Sequence, residues 1–154
     1  MTTHPEETTE AHEPLLRPQL QVTVVTGDRT AYAGAADLVL APGTRGQIGI
    51  RALHAPLLAA LEAGELLVRL GGDEQVFALG GGFLEVRDDQ VIVLADSVER
   101  PEEIDVARAE AARRRARSLV ERNRDRPEAI AARQALDRSR ARLKVAQRAR
   151  RQAR

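Results

Sequence analysis

LLVRLGGDEQVFALGGGFLEVRDDQVIVLA, residues 66–95, is the stretch that decides the fold. It contains four short apolar runs, at residues 66–70, 75–79, 83–87 and 90–95. Gly71-Gly72-Asp73 separates the first two runs and Asp88-Asp89 separates the last two. Both turn sequences are typical of β-hairpins, so the stretch predicts consecutive antiparallel strands.

The preceding part of the chain continues this pattern. Residues 20–25 form an apolar run that ends at Thr26-Gly27-Asp28, and residues 36–41 form another that ends at Pro42-Gly43. Many short strands at even spacing favour an antiparallel β-sandwich or barrel over a parallel sheet.

An Arg- and Ala-rich tail follows the last apolar run. Pro101 before Glu102-Glu103 predicts a helix start, because proline fits the first turn and carboxylates there favour the positive end of the helix dipole. This helix should end near Arg124. Residues 125–128, Asp-Arg-Pro-Glu, repeat these start signals, with Asp125 able to cap, and predict a second helix to about Arg148. The short connection predicts an antiparallel hairpin.

The predicted fold class is α+β, an N-terminal antiparallel β-sandwich followed by a C-terminal antiparallel α-helical hairpin. We predict a disordered extension at residues 1–18, which hold three prolines, a β-sandwich domain at 19–99 and the hairpin domain at 100–154. The apolar positions at helical spacing in the hairpin are Ile104, Ala107, Ala111, Leu119, Ile130, Leu136 and Leu143. Such thin stripes fit both a hairpin that docks and undocks and one that is permanently packed.

The composition excludes several classes of protein. The 154 residues include no cysteine, so disulfides and thiol chemistry are absent, and no apolar run approaches the roughly 20 residues that span a bilayer. No signal-peptide core stands at the start, so we expect a cytoplasmic, soluble or peripheral protein. Residues 101–154 hold 17 Lys and Arg against 8 Asp and Glu, whereas residues 1–100 hold 7 against 15. The basic tail is therefore expected to seek an acidic surface.

Two features that suggest chemistry do not support it. His54 has no Ser, Cys or carboxylate arrangement around it in sequence, and the other histidines, His4 and His12, give no metal-ligand spacing. We interpret His54 as structural or as an interface residue, and predict no catalytic residue and no metal site. The glycines at 80–82 lack the spacing and the lysine of a phosphate-binding loop, and a strand follows them, so we expect positive φ or a close backbone approach there.

Three motifs carry a family resemblance. They are GQIGI at 46–50, followed by His-Ala-Pro-Leu at 54–57, then GGFLEV at 81–86, and finally Ile-Asp-Val-Ala-Arg-Ala at 104–109. In this order, between about residues 20 and 147, the chain resembles the epsilon subunit of bacterial, proton-translocating F-type ATP synthases.

The resemblance implies a non-catalytic rotor subunit that couples the catalytic head to the membrane ring. Its partners would be the gamma subunit, the ring of c subunits, and the alpha/beta head with an acidic loop on beta. The hairpin would regulate ATP hydrolysis, and the protein would lie peripherally on the cytoplasmic face of the cell membrane, held there only through the complex. Gln47 and His54 would lie at the rotor interface. Gln47 stands where the family usually has an acidic residue, and Arg51-Ala52 where it usually has Leu-Pro or Tyr-Pro.

The resemblance and the helix geometry both point to a regulatory ATP site. Asp105, Arg108 and Arg115 share one helix face, and Arg138 and Arg142 share a face of the second helix. Arg115, Arg138 and Arg142 have no acidic residue three or four positions away, and a triphosphate would neutralise them. Glu99 and Ile104 would line the base of this site. The alternative is that these arginines are solvated or contact an acidic loop of a partner.

Two other functions remain open at the level of sequence. The Arg-rich tail fits a nucleic-acid-binding module, although it lacks aromatic residues for stacking and follows an acidic domain. A small enzyme built on the β-sandwich is the other alternative, and no residue of the sequence identifies its catalytic group.

Overall fold

The computed structural model describes residues 17–154. The strands are β1 Leu20–Val25, β2 Thr30–Ala36, β3 Leu38–Gly43, β4 Gly46–Ile50, β5 Leu57–Leu70, β6 Asp73–Arg87, β7 Gln90–Ala95 and β8 Val98–Glu99. A 3-10 turn at Pro101–Glu103 leads to helices α1 Val106–Arg122 and α2 Glu128–Gln152. We call residues 19–99 the β-domain and residues 100–154 the hairpin.

The β-domain is a sandwich made by one folded path of strands. The hydrogen-bonded order is β2-β1-β7-β6-β5-β3-β4, and β8 pairs with β6. The long strands β5 and β6 pair with each other along their length, while β5 also pairs with β3 and residues 82–87 of β6 pair with β7. The two strands therefore take part in both layers. Neighbouring strands are antiparallel except β1 and β7, which run parallel and thereby correct the purely antiparallel prediction.

Glycines at 80–82 explain why the sequence suggested two strands where the structure has one. Gly81 and Gly82 adopt φ values of 107° and 141°, so β6 bends there without ending. A Cβ added to Gly82 would collide with the carbonyl oxygen of Leu94, so only glycine allows β7 this close. The expectation for these glycines is confirmed, and the predicted strands at 75–79 and 83–87 are the two halves of β6.

Both predicted hairpin turns are confirmed, but other strand predictions are incomplete. Residues 66–70 are only the last third of β5, and β2 was missed because its alanines and glycine give no apolar run. The predicted strand at 36–41 is displaced, since Ala36 ends β2 and β3 begins at Leu38. The extension at 1–18 lies outside the described residues apart from Arg17 and Pro18, which have no regular structure.

The predicted helix starts need correction. Pro101 opens only a 3-10 turn, and α1 begins after Asp105, whose Oδ1 accepts a hydrogen bond of 3.0 Å from the backbone N–H of Arg108. Asp125 does not cap α2, because Pro127 occupies the cap position and no side chain bonds there. α1 ends at Arg122 and is shorter than predicted. α2 extends to Gln152 and is longer than predicted.

The hairpin packs along a seam of small residues. Ala109 and Ala116 are the buried residues of α1, whereas Ala107, Leu119 and Ile130, three of the predicted stripe residues, are exposed. The other two predicted positions on α2, Leu136 and Leu143, are buried, so the stripe prediction is right for them and wrong for the three exposed residues. α2 lies against β5 and β6, and the apolar cluster at this junction comprises Leu67, Val76, Ala78, Ile104, Val145 and Ala146.

A candidate anion-binding cavity between hairpin and β-domain

A cavity of about 370 Å³ lies where the hairpin leaves the β-domain. Its lining residues are Glu99, Glu103, Asp105, Arg108, Ala109, Ala112, Arg115 and Arg142. The end of β8, the start of α1 and the middle of α2 each contribute side chains, so the cavity exists only while the hairpin is folded against the β-domain. Five of the seven residues predicted for the ATP site therefore line one space.

Arg142 has a partner that local sequence spacing did not reveal. Its Nε lies 2.5 Å from Oε2 of Glu99, and both side chains are about 30% exposed, at 31% and 29%. The two residues are 43 positions apart, which corrects the view of Arg142 as an arginine without an ion-pair partner. Within residues 17–154, neither Arg108 nor Arg115 forms an ion pair, and both are exposed at the cavity.

The remaining two predicted residues lie elsewhere. Arg138 lines a neighbouring cavity of about 290 Å³, together with Gly80, Gly81 and Asp96 of the β-domain and Asp137 of its own helix. Ile104 is buried in the apolar cluster between α2 and the β-domain. Arg138 and Arg142 therefore face two different cavities, although they are one helical turn apart.

Glu103 anchors the base of the hairpin to the β-domain. Its carboxylate accepts hydrogen bonds from Arg29, at 2.7 Å and 3.0 Å, and from the backbone N–H of Arg100, at 2.7 Å. The bonds from Arg29 first, and from Arg100 second, lower the pKa of Glu103 to about 2. Arg100 in turn lies 5.3 Å from the ring centroid of Phe77 and donates to the carbonyl of Ala31. The 3-10 turn is therefore fixed to the sandwich, and Glu103 is not available to a ligand.

Gln47 and His54 lie outside both cavities, on β4 and in the loop that follows it. Gln47 is exposed on β4, and His54 is half-buried in the following loop, where its Nδ1 lies 2.7 Å from the carbonyl oxygen of Ala55 and donates to it. The same loop holds Leu53 at φ 65°, with its side chain 80% exposed and its backbone N–H bonded to Asp89 at 2.6 Å. The structure gives His54 no catalytic partner among the described residues.

An ion-pair cluster between α2 and the β-domain was also not predicted from the sequence. Arg148 on α2 donates to Glu65 on β5 at 2.7 Å and to Glu74 on β6 at 2.6 Å. A signal was present, because Glu65 interrupts the apolar stretch of β5 and a carboxylate in such a position needs a counter-charge.

Two further observations concern the described part, residues 17–154. No group of three or more His, Cys, Asp or Glu side chains is placed to hold a metal ion there. None of its helices combines the length and the apolar character that crossing a membrane requires.

The protein is thus a β-sandwich that carries a folded helical hairpin, with an arginine-lined cavity at their junction. Two family models match the chain, the β-sandwich domain of the ATP synthase delta/epsilon chain at residues 19–101 and its long α-helix domain at residues 102–147. The chain therefore belongs to the ATP synthase delta/epsilon family, and its relatives place it among the epsilon chains.

Those relatives are similar over most of the chain. The ATP synthase epsilon chain of Acidithiobacillus ferridurans is 44% identical over 133 residues, which are 86% of this chain and 94% of the relative. That of Laribacter hongkongensis is 41% identical over 128 residues, 82% of this chain and 91% of the relative. A chain in the OSCP/F1/c-ring structure of Euglena gracilis mitochondrial ATP synthase has the same fold, with a TM-score of 0.73, 23% identity and coverage of 94% and 90%.

Proposed function

We propose that the chain is a non-catalytic subunit of the central stalk and that its hairpin regulates ATP hydrolysis in response to ATP. The cavity at the base of the hairpin is the observation that carries this proposal. Arg108 and Arg115 from α1 and Arg142 from α2 line the same space, and a triphosphate there would neutralise all three. Bound ATP would join the two helices and favour the compact hairpin.

The carboxylate of Glu99 would compete with a bound phosphate for the guanidinium of Arg142. A phosphate that binds Arg142 must displace Glu99, or share the guanidinium with it, because the carboxylate already occupies the Nε at 2.5 Å. The carboxylate of Asp105 also lines the cavity, and because an ionised carboxylate only accepts hydrogen bonds it repels a phosphate instead of binding it. We therefore expect weak binding, suited to sensing ATP at cellular concentrations rather than to retaining it.

Calorimetric titration of the full chain with ATP tests the site. We expect Arg115→Ala to weaken binding at least roughly tenfold, because it removes a charged donor to phosphate. Arg117→Ala is the matched control, since Arg117 is on the same helix, pairs with Glu121 at 3.2 Å and lies outside the cavity. The absence of both heat and thermal shift at millimolar ATP would contradict the proposal. Arg138 faces the neighbouring cavity. Weaker ATP binding by Arg138→Ala would therefore indicate that α2 rotates when ATP binds.

The proposed partners follow the same division of the molecule. We assign the gamma subunit and the c-subunit ring to the β-domain, with Gln47 and His54 at that interface. The hairpin would act on the alpha/beta head through an acidic loop of beta, using Arg133, Arg140 and Lys144, which are exposed. The protein would then be peripheral on the cytoplasmic face of the membrane, through the complex alone. Copurification of alpha, beta and gamma subunits with the tagged chain tests this assignment.

Electrostatic inhibition has its own test. Replacing Arg133, Arg140 and Lys144 by Ala should raise ATP hydrolysis by the reconstituted head, whereas Arg45→Ala, an exposed arginine of the β-domain, should not. An unchanged rate of ATP hydrolysis with the triple variant, at both low and moderate salt, would contradict the proposed charge-based contact. We do not propose nucleic-acid binding, because the family models account for residues 19–147.

A further inference from the structure

The hairpin is attached to the β-domain by a small apolar surface. α2 makes the main contacts with β5 and β6, and its side of the buried cluster consists of Val145 and Ala146. These are small side chains, and apolar stabilisation is proportional to the area removed from water. Apolar burial by α2 alone therefore gives the docked helix only modest stability, and Ile104 at the base of the hairpin adds the one large side chain of the cluster that the hairpin contributes.

Arg148 lies directly beside this apolar surface. It follows Val145 by three residues, so the two side chains are neighbours on one face of α2. Its two terminal nitrogens reach carboxylates on adjacent strands, Glu65 at 2.7 Å and Glu74 at 2.6 Å. One arginine thus joins α2 to both strands on which the helix rests, with one terminal nitrogen bonded to each carboxylate.

Glu65 is the unusual member of this cluster. Its side chain is only 7% exposed, and its Oε2 has no hydrogen-bond partner among the described residues. The cavity beside it is otherwise lined by α2 residues, namely Lys144, Arg148, Arg151 and Gln152. α2 is therefore the element that covers this carboxylate, and lifting α2 would return Glu65 to water.

We propose that Arg148, Glu65 and Glu74 form a latch that determines how much of the hairpin is docked on the β-domain. A buried carboxylate without its counter-charge is strongly unfavourable, and this cost exists only in the docked state, because the undocked carboxylate is hydrated. Removing Arg148 therefore shifts the equilibrium towards undocking. This deepens the proposed regulation by the hairpin, and its importance for hydrolysis rests on that proposed function.

The latch is separate from the candidate nucleotide cavity. Arg142 lines that cavity, so a polyanion competes with Glu99 for it, whereas Arg148 lies outside it. Arg148 therefore keeps its carboxylates when Arg142 exchanges its partner. The hairpin has one attachment that responds to an anion and one that does not.

Energy transfer between two fluorophores on the full chain measures docking directly. The chain has no cysteine, so Arg87→Cys on the β-domain and Ala131→Cys on α2, both exposed, give unique labelling sites. We expect Arg148→Ala to lower the ratio of docked to undocked hairpin roughly tenfold or more, as for a broken buried ion pair. Arg150→Ala, which removes an exposed arginine two residues further along α2, should leave the ratio within a factor of about two.

A double variant distinguishes a latch from a general packing defect. Arg148→Met alone should undock the hairpin, and the further change Glu65→Leu should restore docking, because an apolar pair can replace a buried ion pair without loss. A docked ratio that is unchanged in Arg148→Ala, or a Glu65→Leu change that gives no recovery, would overturn the proposal. Circular dichroism checks that each variant keeps its strands and helices.

The latch and the proposed regulation fail in different ways. Docking is measured on the isolated chain, without ATP or the catalytic head. If Arg148→Ala undocks the hairpin and hydrolysis by the reconstituted complex does not change, the latch stands and regulation by the hairpin fails. If docking is unaffected, the latch is wrong whatever the hydrolysis rate.

Discussion

The β-domain and the hairpin are stabilised in different ways. The β-domain buries large branched and aromatic side chains completely, among them Phe77, Leu20, Ile50 and Leu84. The hairpin buries mainly alanines, with Leu136, Leu143 and Val145 as its larger buried side chains on α2, and it exposes Leu119 and Ile130. A sandwich with such a core is self-sufficient, whereas a hairpin with so little apolar area depends on what it rests against. We therefore expect the β-domain to be an independent platform and the hairpin to depend on it for its structure.

The same two regions also divide the charge. The ion pairs between α2 and the β-domain all have arginine on the helix and glutamate on the strands, in Arg142–Glu99, Arg148–Glu65 and Arg148–Glu74. The basic surplus of residues 101–154 and the acidic surplus of residues 1–100 are therefore partly matched inside the protein. The basic residues that remain exposed, such as Arg133, are those available to an external partner.

Separating the β-domain from the hairpin should have the largest effect on stability, and the effect should fall on the hairpin. We expect residues 19–99 alone to unfold cooperatively, because the main core cluster lies entirely within them, between Leu20 and Val98. Residues 100–154 alone should show no cooperative thermal transition. Circular dichroism during heating measures both. A β-domain fragment without a sigmoidal transition would refute the description of it as an independent platform.

Two phenylalanines of the same strand sharpen the comparison within the β-domain. Phe77 is fully buried and packs edge-to-face on Tyr32 at 6.1 Å, whereas Phe83 is 55% exposed. Phe77→Ala should lower the free energy of unfolding by ~3–5 kcal/mol. Phe83→Ala, the matched control, should change it by less than ~1 kcal/mol. Urea denaturation measures both, and similar losses for the two variants would contradict the assigned core.

Glu103 makes the connection between the regions dependent on pH. Its folded pKa of about 2 lies below the ordinary value of 4.5, so its contribution to stability is present above pH 4.5 and is lost as the pH falls from 4.5 towards 2. Glu103→Gln should lower the urea midpoint at pH 7 and have a much smaller effect at pH 2. Glu102→Gln, at an exposed neighbour in the same turn, is the control. An equal loss for Glu103→Gln at both pH values would show that charge is not the cause. Because Glu103 is 34% exposed, salt should weaken the effect.

The smallest expected effect is at Leu53. This residue adopts φ 65°, which costs a branched or bulky residue about 1–2 kcal/mol. Glycine removes this strain but gives the unfolded chain more conformational entropy, which opposes folding. Leu53→Gly should therefore raise the free energy of unfolding, by no more than ~1 kcal/mol. Ala52→Gly, next to it and not at positive φ, should lower it. Chemical denaturation measures the free energy of unfolding of both variants. A loss of stability in Leu53→Gly would show that the Leu53 side chain makes contacts that outweigh the backbone strain.

The sequence by itself determined the elements whose causes are local. Gly71-Gly72 and Asp88-Asp89 specify tight turns through backbone conformation, and the flanking apolar runs specify strands, so both hairpins and the α+β order were predictable. The family motifs also are local, and the family was therefore evident from residues 46–57, 81–86 and 104–109.

Only the tertiary structure decided which side chains meet. Phe77 and Phe83 are chemically identical and six residues apart, and the bend at Gly81 and Gly82 lies between them, so their different burial is a property of the folded strand. Arg142 and Arg148 have no acidic neighbour one helical turn away, yet each finds a glutamate on the β-domain. Spacing along a helix reveals partners on that helix alone. Partners on another element depend on how the elements pack, and packing is decided by the whole core.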